Sequence, residues 1–163
     1  MSLHKILEAL EEEYWHNDTV SIKPLRTMDD LIYAGYDCRL TEEQKDLVSP
    51  FWFTIGRAYL FPEDHYPCVI YNERSEAIGF INLCKYIGDN ASSWSFYIDK
   101  DHQGKGYGKS TAALAVDILK RVAPDMPIKL SAEQSNVKAQ RLYASLGFLK
   151  SDELDGDDLV YVL

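Results

Sequence analysis

Between residues 99 and 110 the chain reads Asp99-Lys100-Asp101-His102-Gln103-Gly104-Lys105-Gly106-Tyr107-Gly108-Lys109-Ser110. Before this run, Ser93–Asp99 alternates like a strand, with Trp94, Phe96 and Ile98 on one side and Ser95, Tyr97 and Asp99 on the other. After it, Thr111, Leu114, Ala115, Ile118, Leu119 and Val122 recur at helical spacing, which predicts a helix from about Lys105 to Val122. Gly104, Gly106 and Gly108 therefore join a strand end to a helix start. Glycine reaches positive φ and lets a ligand touch the backbone. Successive N–H groups in such a turn converge on one anion. The helix dipole adds partial positive charge at the same point. Within residues 100–109, Lys100, Lys105 and Lys109 stand against Asp101 alone, a local excess of two positive charges in a chain of formal net charge −9. A basic loop in an acidic chain reads as a specific phosphate site.

Two other phosphate loops are excluded. A Walker A loop ending in Gly108-Lys109-Ser110 needs glycine at position 103, where Gln103 stands. A dinucleotide fingerprint needs two residues between its second and third glycines, and only Tyr107 separates Gly106 from Gly108.

Outward from the loop, Pro67–Tyr71 and Ala77–Tyr86 read as strands joined by a polar turn at Asn72–Glu76, and Gly88-Asp89-Asn90 turns into Ser93–Asp99. On the other side, Pro124 and Pro127 stop the helix and Ile128–Ala132 is a strand. Asn136 opens a further helix whose inner face is Ala139, Leu142, Tyr143 and Leu146, and Gly147 closes it. A hairpin of Phe148–Leu154 and Leu159–Leu163 turns at Asp155-Gly156.

Near the N-terminus, Leu3, Ile6, Leu7, Leu10 and Tyr14 share one helical face, so residues 1–17 form a helical extension. Val20–Lys23 is a short strand ending at Pro24. Residues 28–60 read as two helices. The second opens at Thr41 with a capping-box pattern, and Pro50 kinks or splits it. Trp52, Phe53, Ile55, Tyr59 and Phe61 are expected in the core, where aromatics do most for packing. The order of elements predicts an α+β fold, a mixed and mostly antiparallel central sheet flanked by helices, with a strand–helix–strand crossover in its second half.

The 163 residues suit one domain spanning 1–163. With 46% apolar and 26% charged residues the chain is neither disordered nor fibrous. No apolar run approaches the ~20 residues of a membrane span, and the N-terminus does not read as a signal or transit peptide. Net charge −9 makes a poor binder of nucleic acid and a surface that draws small cations. Cys38, Cys68 and Cys84 form no Cys-x-x-Cys pair, which fits a reducing cytoplasm. His4, His16, His65 and His102 show no ligand spacing, and no metal is expected.

Two segments carry a resemblance. Gln103-Gly104-Lys105-Gly106-Tyr107-Gly108 is similar to Gln/Arg-x-x-Gly-x-Gly/Ala. Asn136, Ala139, Leu142, Tyr143, Gly147 and Phe148 are similar to Asn-x-x-Ala-x-x-Leu-Tyr-x-x-x-Gly-Phe. Both patterns belong to the GNAT superfamily of N-acetyltransferases. The resemblance is clearest over 77–163, and the stretch Leu40–Tyr71 looks like the bacterial spermine/spermidine acetyltransferase branch.

That resemblance implies acetyl-CoA as cosubstrate and splayed strands, Ser93–Asp99 and Ile128–Ala132, at its site. It implies that backbone groups of Phe96, Tyr97 and Ile98 align the pantetheine arm. The amides of Gln103, Gly104, Lys105, Gly106, Tyr107, Gly108 and Lys109 would hold the pyrophosphate, and Asn136 would touch the cofactor. Tyr143 would lie near the sulfur and protonate the leaving thiolate, as a phenol can. The acceptor would be a primary amine, a polyamine such as spermidine or spermine, in a cleft lined by Asp37, Glu42, Glu43, Glu63 and Asp64. Alternatives are another small amine, an aminoglycoside, a peptide N-terminus, or a module that binds acyl-CoA without transfer. The resemblance also implies a homodimer. For the general base, Trp94 and Ser131 occupy places where some relatives have Glu, and Glu133 and Asp99 are nearby substitutes.

Overall fold

The computed structural model describes residues 2–86 and 88–163. Strands β1 (Val20–Pro24), β2 (His65–Asn72), β3 (Ala77–Lys85) and β4 (Ser92–Ile98) form an antiparallel sheet in that order. Strands β5 (Lys129–Ala132), β6 (Leu149–Asp155) and β7 (Asp158–Val162) form a second antiparallel sheet in the order β5-β7-β6. The two sheets are joined by one parallel bridge, Ser92 to Ile128, where the Ser92 N–H donates to Pro127 O at 2.9 Å. Beyond that bridge β4 and β5 part. This is the α+β architecture the sequence predicts, with the splay where the resemblance puts it.

Helices cover both faces of the first sheet. Helix α1 (Leu3–Glu8) and the long helix α5 (Tyr107–Val122) lie on one face. The main core forms there from Leu7, Ile22, Ile70, Ile81, Leu83, Trp94, Ile98, Ile118, Leu119, Ile128 and Leu130. The other face carries α2 (Met28–Ile32), α3 (Glu42–Lys45) and α4 (Phe51–Leu60). There Phe51 meets Phe80 edge-on at 5.0 Å, and Phe80 lies 5.8 Å from Tyr97. Helix α6 (Val137–Ser145) follows β5.

Three expectations are corrected. The first helix stops at Glu8; a separate 3₁₀ turn, Glu12–Trp15, follows, pinned where Trp15 stacks on Tyr66. Helix α5 begins at Tyr107 rather than Lys105, because Gly106 sits at φ +85° and breaks helical geometry before it. At Pro50 the structure shows the split, one of the two outcomes expected there: α3 is one turn with a capping box of Thr41 and Gln44, and Pro50 caps α4. Four aromatics expected in the core lie outside it: Trp52, Phe53 and Tyr59 of α4 and Phe61 just after it are 73%, 45%, 84% and 56% exposed. Helical spacing explains this. Phe51, buried Thr54 and Ile55 already fill the inward stripe, so the neighbouring rings point outward.

Candidate active site

The glycine loop is built from β4 outward. Asp99 ends the strand and is buried at 6% exposure. Its carboxylate accepts the N–H of Arg39 at 2.8 Å and of Asp101 at 3.1 Å, and lies 3.3 Å from His102 Nδ1. It is thus spent on structure and is no free base. The chain then passes Gly104 at φ +75° and Gly106 at φ +85°, where an L side chain is strained. No acceptor among the described residues takes the N–H groups from Gln103 to Lys109. A run of donors at a helix start with no partner suits a bound anion. Lys105 and Lys109 are exposed beside it and make no ion pair among the described residues.

Gly108 adds an independent hint. It has an ordinary φ and lies in the first turn of α5, where glycine is about 1 kcal/mol worse than alanine. A Cβ built there, or on Gly104 or Gly106, meets nothing within 4 Å. Packing inside the chain does not explain the missing side chain, and a close approach from outside would.

Two loop side chains serve the protein rather than the cavity. Tyr107 is buried in the core and its hydroxyl donates to Glu73 at 3.2 Å. Gln103 forms a reciprocal amide pair with Gln44 of α3 at 2.8 and 2.9 Å, and its Nε2 also donates to Ile98 O at 2.8 Å. Arg39 O accepts the Lys100 N–H at 2.7 Å. The segment before α3 is therefore strapped to the loop, a link of residues far apart in sequence that no local pattern announces.

The edge of β4 follows from its register. The Asp99 N–H reaches Ile78 O and the Tyr86 N–H reaches Ala91 O. In an antiparallel ladder the hydrogen-bonded positions alternate, so Ser93, Ser95 and Tyr97 turn their backbone groups to β3. Trp94, Phe96 and Ile98 turn theirs into the gap beside β5. Of the three predicted alignment residues, Phe96 and Ile98 face the gap and Tyr97 does not.

Side chains divide the gap into two faces. Trp94 turns to the α5 side, buried against Phe148 at 5.7 Å. A carboxylate at that position would point into the core, which is why a tryptophan is at home there. Tyr143 of α6 lies on the same side, 5.9 Å from Phe148 and 5.6 Å from Tyr161 between ring centres. Burial pushes its phenol up to about 12, so it stays protonated. Asn136 caps α6, its Oδ1 accepting the Ala139 N–H at 3.2 Å, and its Nδ2 has no partner among the described residues.

On the opposite face, Ser131 Oγ donates to Asp155 Oδ2 at 2.8 Å and meets Tyr86 Oη at 3.0 Å. Burial pushes the Tyr86 phenol up. Nearby, buried Asn82 and His65 pair at 2.9 Å, and burial pushes the His65 imidazole down, so it is neutral at pH 7. Glu133 is exposed, with the Ser135 hydroxyl 3.4 Å away. A cleft of about 500 Å³ opens on this side, lined by Arg57, Phe61, Asp64, His65, Lys85 and Tyr86 among others. Of the acidic residues expected in a cleft, only Asp64 lines it. Glu42 is held by Lys45 at 2.6 Å, and Asp37, Glu43 and Glu63 are exposed elsewhere.

A strand–glycine loop–helix beside two splayed strands defines the acetyltransferase type of fold. The sequence pattern of the acetyltransferase (GNAT) family matches residues 27–148, and the chain belongs to that family. It is 35% identical over 102 residues to a probable spermine N(1)-acetyltransferase of Bacillus subtilis subsp. natto; the match covers 57% of this chain and 66% of that one. Among solved structures, an acetyltransferase from Agrobacterium tumefaciens superposes with a TM-score of 0.70 at 18% identity, covering 91% and 92% of the two chains. Spermidine N-acetyltransferase from Vibrio cholerae, solved with CoA and spermine, superposes with a TM-score of 0.67 at 18% identity, covering 90% and 94%.

Proposed function

We propose that this chain transfers the acetyl group of acetyl-CoA to a primary amine. The observation that carries the reading is continuous: seven N–H groups without an acceptor among the described residues, from Gln103 to Lys109, lead into the edge of β4 that β3 leaves open at Phe96 and Trp94, beyond Ile98, whose carbonyl Gln103 Nε2 already caps. Pyrophosphate suits the first part, as an anion at a helix start. An extended amide-bearing arm suits the second, as a strand added to an open edge. The Asn136 Nδ2, which has no partner among the described residues, supports a contact with that arm. Residues 1–163 act here as one domain.

Acetyl-CoA supplies an activated acyl thioester. The amine attacks it directly, so no protein nucleophile is required, and alignment of both substrates supplies most of the acceleration. Phe96 or Trp94 offers a backbone N–H to the developing oxyanion. Tyr143 holds a proton for the leaving thiolate, and its burial keeps that proton in place below about pH 12.

A polyamine acceptor is favoured by the net charge of −9 and by likeness to proteins named for spermine and spermidine. A second reading has its own observation. Arg57 and Lys85 line the cleft without an ion pair among the described residues, which suits a peptide N-terminus carrying carboxylates. Thiol release from acetyl-CoA with spermidine, a monoamine and an acidic peptide separates the two. Spermidine should be preferred, and raising salt should lower its kcat/KM more than that of the monoamine. Preference for the acidic peptide would replace the polyamine reading.

A further inference from the structure

We infer that Ser131, Asp155 and Tyr86 form a proton relay that takes the proton from the acceptor ammonium; the inference rests on the acetyl-transfer reading above. The residues come from three places. Ser131 lies on β5, Asp155 ends β6, and Tyr86 follows β3. Tyr86 reaches past the start of β4 to Ser131 Oγ, so its phenol spans the closed end of the gap. Ser93, which β4 presents on that face, is buried at 8% exposure, and Ser95 farther along is exposed. The polar line thus lies where the gap begins to open, on the face opposite Tyr143.

The hydrogen-bond inventory fixes the direction of transfer. A serine hydroxyl has one proton and two lone pairs. Ser131 gives its proton to Asp155 at 2.8 Å, so Tyr86 must donate to Ser131 at 3.0 Å. One lone pair of Ser131 Oγ is left for an N–H from the gap. In the step proposed, an ammonium N–H bond breaks and its proton goes to Ser131 Oγ. The proton already on Ser131 Oγ passes to Asp155 Oδ2. The products are a neutral amine and a carboxylic acid, which returns its proton to water because Asp155 is exposed.

The surroundings leave Asp155 free for this. Lys129, two residues along β5, is already held by Asp89 and Glu153. Across the hairpin, Asp158 pairs in register with Asp155. Burial pushes the Asp158 carboxyl up, with help from Glu133, Asp155 and Asp157. Asp155 therefore stands opposite another carboxylate and makes no ion pair among the described residues, so its Oδ2 is left to the Ser131 hydroxyl.

The test measures kcat, KM, acetyl-CoA affinity and melting temperature for Asp155→Asn and Ser131→Ala from pH 6 to 10, with acetyl-CoA and spermidine as probes. Thiol release by the wild type tests the acetyl-transfer reading, and the ratio of variant to wild type tests the relay. Asp155→Asn should lower kcat about 10²-fold at pH 6.5, the lower range for a lost general base. Acetyl-CoA affinity should not change. The deficit should shrink as pH rises toward the amine's own pKa of roughly 10.4, where neutral amine needs no base. Ser131→Thr, which keeps the hydroxyl, should recover most of the activity lost in Ser131→Ala. A deficit equal at every pH and matched by a lower melting temperature would make these residues structural. Activity within twofold of wild type at pH 6.5 would overturn the relay.

Discussion

On the α5 side of the gap, Tyr143 packs on Phe148 and Tyr161, Trp94 packs on Phe148, and burial alone raises the Tyr143 phenol. On the other side, Ser131 is bonded to Asp155 and Tyr86, beside the paired Asn82 and His65. An apolar wall holds a proton on a phenol; a hydrogen-bonded line that ends at an exposed carboxylate moves a proton away. Transfer of an acyl group from a thioester to an amine that arrives as ammonium calls for one of each, a proton given to the leaving thiolate and a proton taken from the ammonium, on opposite sides of the carbonyl. On the acetyl-transfer reading proposed above, that difference between the two faces lets one gap serve both ends of the reaction.

The comparison breaks most visibly at Tyr143. Tyr143→Phe keeps the ring against Phe148 and removes the proton, so kcat should fall about 10²-fold with acetyl-CoA affinity nearly unchanged. A variant within twofold of wild-type kcat would end the general-acid role. The pH dependence has a definite sign. The fold raises the phenol's pKa to about 12, so it favours the neutral form. That stability is fully present below the unfolded value of about 10 and is lost as pH rises through 12. Alkaline unfolding of Tyr143→Phe should accordingly begin at higher pH than in the wild type, read by circular dichroism.

The next effect lies at the loop. Gly106→Val places a β-branched residue at φ +85°, with roughly 1–3 kcal/mol of strain. Acetyl-CoA affinity by calorimetry should drop about tenfold to a hundredfold, because relief of that strain moves the N–H groups. Unchanged affinity in a folded variant would place the pyrophosphate elsewhere.

Gly108→Ala sharpens the same point with opposite signs. Nothing within 4 Å obstructs the new methyl group, so thermal stability should rise by about 1 kcal/mol while acetyl-CoA binding weakens. A stabilised variant with undiminished binding would mean that no ligand comes close at that position.

Much of the gap's loop side is legible in the sequence because it is made of backbone. Glycine positions, strand alternation and the Asn136 cap are local features, and the residues that form them are neighbours in the chain. The other face is assembled over distance. Tyr86, Ser131 and Asp155 come from three elements, and Gln44 meets Gln103 from a separate helix. No spacing rule connects them, and Ser131 stands out in the sequence only as a place without a carboxylate. Helix α4 misleads for a simpler reason. Its aromatics are dense enough to suggest a core, yet a helix has one inward stripe, and Phe51, Thr54 and Ile55 occupy it.

The smallest expected effect follows from that reading of α4. Trp52 is 73% exposed, so Trp52→Ser should change stability by no more than about 0.5 kcal/mol. A loss several times larger, measured by denaturant unfolding, would show that the ring is buried in solution.

Direct transfer across the gap is tested best by following both products of one reaction. With acetyl-CoA and spermidine, thiol release and intact-mass analysis of amine and protein should give one acetylated amine for each CoA released. No acetyl group should reside on the protein at any time. Release of CoA at the same rate without amine, or an acetylated protein that forms and decays during turnover, would contradict the account.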